Sequence, residues 1–147
     1  MKTTNDVLDH LMQTLEDGSA GLTDAAGRLD EISFNAFATS FRELAQQRIH
    51  FHSEVRELAI DLGYEPTDEG TLAAKLHRGW MGIKDGLSGD SPEGILVVAE
   101  QGEDHAISIY EKAALVDLPV ILKATIVRQL TAIRKARETI RGFTQTV

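Results

Sequence analysis

The sequence predicts an all-α protein: a bundle of four long helices, with a shorter helix in the connection between the second and the third. Three observations predict it. Apolar residues recur at helical spacing in four long stretches, and nothing resembles a series of alternating strands and turns. The three prolines, Pro66, Pro92 and Pro119, all lie outside the interiors of those stretches. The 147 residues are enough for one sizeable core, with roughly two-thirds of the unfolded surface buried, so residues 1–147 are read as a single domain.

The first helix is expected from about Asn5 to Ala26, capped by Asn5 or Thr4, with Asp6 in its first turn. Leu8, Leu15, Leu22 and Leu29 mark its apolar face. Gly18 and Gly21 interrupt it at a cost of about 1 kcal/mol each relative to Ala, and close approach of a neighbouring helix is the reason expected. The second helix is expected from about Glu31 to Leu62, with Phe37, Phe41, Leu44, Phe51, Val55 and Leu58 inward and Gly63 as its stop. A turn-rich break at 64–70 leads into the shorter helix, about Thr71 to Ile83, with Leu72, Leu76, Trp80 and Ile83 on one side. Ser91, Pro92 and Glu93 supply an N-cap, a first-position proline and a first-turn acid. They open the third helix, which runs to about Leu115. Asp117-Leu118-Pro119 turns into the fourth, from Pro119 to about Phe143.

The connections set the topology. Those between the first and second and between the third and fourth helices are short, so each pair forms an antiparallel hairpin. The connection between the second and third spans about 28 residues, and one long crossover in a four-helix bundle is the ferritin-like arrangement.

Composition narrows the function. With no cysteine there is no disulfide, thiolate nucleophile or zinc–cysteine site. A net charge of −8 disfavours nucleic acid and anionic membranes as partners. No apolar run approaches the ~20 residues of a membrane span, and the N-terminal residues carry no secretory signal pattern, so a cytoplasmic location is expected. From Pro119 to Thr144 six basic residues face one acid, a local +5 that leaves −13 for the rest. Internal charge pairing is the simplest reading, and a basic docking face the alternative.

Four short motifs in order resemble an uncharacterised bacterial four-helix-bundle family of the ferritin-like superfamily. They are Asp17-Gly18; Ala45-Gln46-Gln47-Arg48 with Phe51 and Glu54; Gly79-Trp80 within Leu76–Met81; and Gly102-Glu103-Asp104 with Tyr110. The resemblance spans nearly the whole chain and implies the ferritin-like fold without an activity.

Ferritin-like di-metal proteins use a Glu from each of two helices and Glu-x-x-His from each of the other two. This chain has no Glu-x-x-His; the nearest match is Gln47-x-x-His50. At roughly 100° per residue, Asp17 falls opposite the apolar face of the first helix and Glu16 on its flank. Arg48 points inward on the second helix with Gln47 at the edge, Glu103 is central on the third, and Gln129 is inward on the fourth. The centre is therefore expected to be one polar layer of Gln47, Arg48, Glu103 and Gln129, with the Ser19 hydroxyl nearby. In that layer an Arg48–Glu103 ion pair stands where relatives carry metal and fixes which helices are neighbours.

The function expected is a non-enzymatic bundle without a cofactor, acting through association with a second copy or another protein. The rival is a di-iron or di-manganese binding or oxidase protein with an atypical site at Gln47, His50, Glu103 and Gln129. Other candidates have plainer readings. His50 and His52 diverge on a helix and cannot share an ion, and Glu43, Gln47, His50 and Glu54 read as a solvated edge. His10 and His105 read as surface residues. Trp80 is read as packing the crossover onto the bundle, with an interaction surface as its functional alternative. Tyr110 is read as a core residue whose hydroxyl finds a polar partner.

Overall fold

A computed structural model describes residues 3–65 and 91–147. These residues form four helices and no strand: α1 (Thr4–Glu31), α2 (Asn35–Asp61), α3 (Pro92–Ala114) and α4 (Val120–Thr144). The helix expected at 71–83, with Trp80, lies outside the described residues. None of the described helices is long and apolar enough to cross a membrane.

The helix ends show how local chemistry sets the boundaries. Thr3, one residue earlier than expected, caps α1: its hydroxyl accepts from the Asp6 N–H at 3.1 Å, and Asp6 accepts from the Thr3 N–H at 3.3 Å. α1 also runs five residues past Ala26, to Glu31. Reversal is confined to Ile32–Phe34, where Ser33 takes a left-handed φ of 69° and the Phe34 N–H returns to the Leu29 carbonyl at 2.8 Å. Asp30 braces this turn by accepting from Asn35 and Arg42. Gly63, with φ 85°, ends α2, and Ser91 caps α3 through the Gly94 N–H at 3.0 Å.

Two apolar clusters give the chain directions. One gathers the first half of α1, the second halves of α2 and α3, and the first half of α4 around Leu11, Val55, Tyr110 and Ile126. The other gathers the opposite halves around Leu22, Phe41, Leu96 and Ile140. α1 and α4 therefore run one way, and α2 and α3 the other. α1 packs on α2 and α3, and α4 packs on the same two, so α2 and α3 face each other across a diagonal.

The basic charge of α4 is spent on its neighbours. Arg128 pairs with Glu54 of α2, Arg134 with Glu111 of α3, and Arg137 and Arg141 with Glu100 of α3, Arg137 also taking Asp104. The exposed pairs among them, such as Arg134–Glu111, are each worth under about 1 kcal/mol, but together these pairs account for most of the basic residues on that helix.

Candidate functional site

Between the two apolar clusters, Arg48 of α2 reaches across the diagonal to Glu103 of α3. The pair is bidentate: Nη1 donates to Oε1 at 2.6 Å and Nη2 to Oε2 at 2.5 Å. Arg48 is 1% exposed and Glu103 is fully buried. Planar guanidinium and carboxylate match as two parallel hydrogen bonds, which suits a site without water. The remaining Nε donates to the half-buried Gln47 amide oxygen at 3.3 Å.

Space for the guanidinium comes from α1. A Cβ placed on Gly18 would stand 3.3 Å from Arg48 Nη1 and 3.7 Å from its Cγ, so a side chain there crowds the pair. The close approach expected at the α1 glycines is thus, at Gly18, an approach by Arg48. Ser19, half-buried, sits next to this contact on α1.

Gln129 does not belong to the same layer. It is fully buried, but its oxygen accepts from the Tyr110 hydroxyl at 2.7 Å and its nitrogen donates to Glu54 Oε1 at 2.8 Å and, more weakly, to the Phe51 carbonyl at 3.4 Å. Tyr110 lies seven residues beyond Glu103, about 10 Å along α3. The single layer expected from the sequence is therefore two tiers. Helical periodicity fixes which face a residue occupies, but not the axial offset between helices. Glu54, read as part of a solvated edge, joins this second tier and ties it to Arg128 at the surface.

One further expectation needs correction. Asp17, placed outward by the helical wheel, is only 7% exposed. α1 is covered by both α2 and α3, so its buried arc is wider than one stripe. Glu16, on the flank of α1, meets His52 of α2 at 3.1 Å, a contact that sequence spacing alone gives no means to find. His10 and His105 are exposed.

The chemistry of the centre follows. Burial pushes the Tyr110 phenol far up, so it stays a neutral donor to Gln129. Burial also pushes the Glu54 carboxyl up, but hydrogen bonds from Gln129 and Arg128 outweigh it and hold the group below the usual carboxylate range. The rival metal set does not converge: both Glu103 oxygens are held by Arg48, Gln129 belongs to the other tier, and His50 is exposed. Among the described residues no three His, Asp or Glu side chains are grouped to hold a metal ion. A guanidinium at the centre also repels a cation there. The di-metal centre of the ferritin-like pattern does not fit these residues.

Comparison with known families matches the chain to a domain of unknown function, DUF2383, over residues 3–115. That match runs from the α1 cap through the end of α3. No curated protein matches the chain.

Proposed function

The chain belongs to the DUF2383 family, and from that premise we propose that it is a non-enzymatic, ferritin-like bundle of the bacterial cytoplasm that acts through protein association. Its centre is closed by an ion pair at the position where ferritin-like relatives hold metal. One observation carries this reading: both oxygens of the buried Glu103 carboxylate are taken by one buried guanidinium. A carboxylate so engaged has each oxygen bonded to a guanidinium whose charge repels a second cation, and breaking the pair to admit a metal strands Arg48 in the core. The helix directions, with one long connection, support the ferritin-like assignment. The crossover helix with Trp80 on its apolar side is part of the same reading.

The test is metal loading. Purified protein is incubated with ferrous iron or manganese, desalted and assayed for bound metal, and its absorption is followed after ferrous iron and dioxygen are added. Substoichiometric metal and no dioxygen-dependent colour are expected. Stoichiometric iron or manganese, or colour formation, overturns the reading.

A further inference from the structure

We draw no further inference here: the strongest candidate, the exposed apolar stripe of Val120, Ala124 and Val127 on the outward face of α4, carries nothing, because nothing in the structure shows what covers it.

Discussion

At Arg48 and Glu103 the bundle buries two full charges; some two helical turns further along α3, at Tyr110 and Gln129, it buries only dipoles. Both tiers satisfy their hydrogen bonds, yet they differ in what failure costs. The charged tier is sealed, with apolar clusters above and below. Losing one partner leaves an ion with nowhere to go, while its net contribution when intact is small because desolvation opposes the attraction. The neutral tier leads outward through Glu54 to Arg128, whose side chain is half exposed. A lost bond there strands a dipole, which costs less. The charged tier thus sets strict limits on sequence without adding much stability, and the neutral tier does the reverse on a smaller scale.

The largest expected effect breaks the charged tier alone. Glu103→Leu should lower stability by about 3–5 kcal/mol, read from urea unfolding. Arg48→Met in the same chain should recover much of that loss, and strict additivity of the two single changes would show that they do not act as a pair. Tyr110→Phe should cost about 1–3 kcal/mol by leaving the Gln129 oxygen unsatisfied, and Gln129→Leu added to it should cost little more. Tyr110 also has a pH signature. Its folded pKa lies above the ordinary 10.0, so its stabilisation is complete below that pH. Above it the unfolded chain ionises first, and stability falls as pH rises towards the folded value. Alkaline unfolding of Tyr110→Phe should lack that component.

A smaller effect tests how the charged tier is housed. Gly18→Ala gains about 1 kcal/mol of helix propensity, but its Cβ meets a guanidinium pinned at both nitrogens. It should destabilise the wild-type chain by about 1 kcal/mol and stabilise the Arg48→Met, Glu103→Leu chain. The smallest effect belongs to the outer end of the neutral tier. The folded pKa of Glu54 is lowered, so its stabilisation is present above the unfolded carboxylate value and is lost as pH falls through the folded one. Its part should stay below about 1 kcal/mol. The stability gap between wild type and Glu54→Gln should close on acidification, as followed by thermal melts at successive pH.

Much of this was legible in the sequence because helical periodicity reports faces directly. The four long helices, the Ser91 cap, the Gly63 stop and the inward placement of Arg48, Glu103 and Gln129 all follow from spacing and capping chemistry. What spacing does not encode is how far one helix slides along another, so Gln129 and Arg48 fell into one layer although they occupy two. It also underestimates burial on a helix with two neighbours, hence Asp17. Contacts between flanks of different helices, such as Glu16 with His52 and Gln129 with Glu54, depend on both the rotation and the offset of each partner.

Arg48 and Glu103 are separated by 55 residues and belong to different hairpins. Each hairpin alone is an amphipathic unit that exposes one apolar side, and two identical hairpins could bury those sides against each other. Two α1–α2 hairpins joined in that way would bring one buried Arg48 towards another, and two α3–α4 hairpins would do the same with Glu103. Only the unlike combination is neutral in the middle. A buried ion pair split between the two hairpins therefore carries a penalty against exchanged or doubled hairpins at the point where hydrophobic burial would accept them.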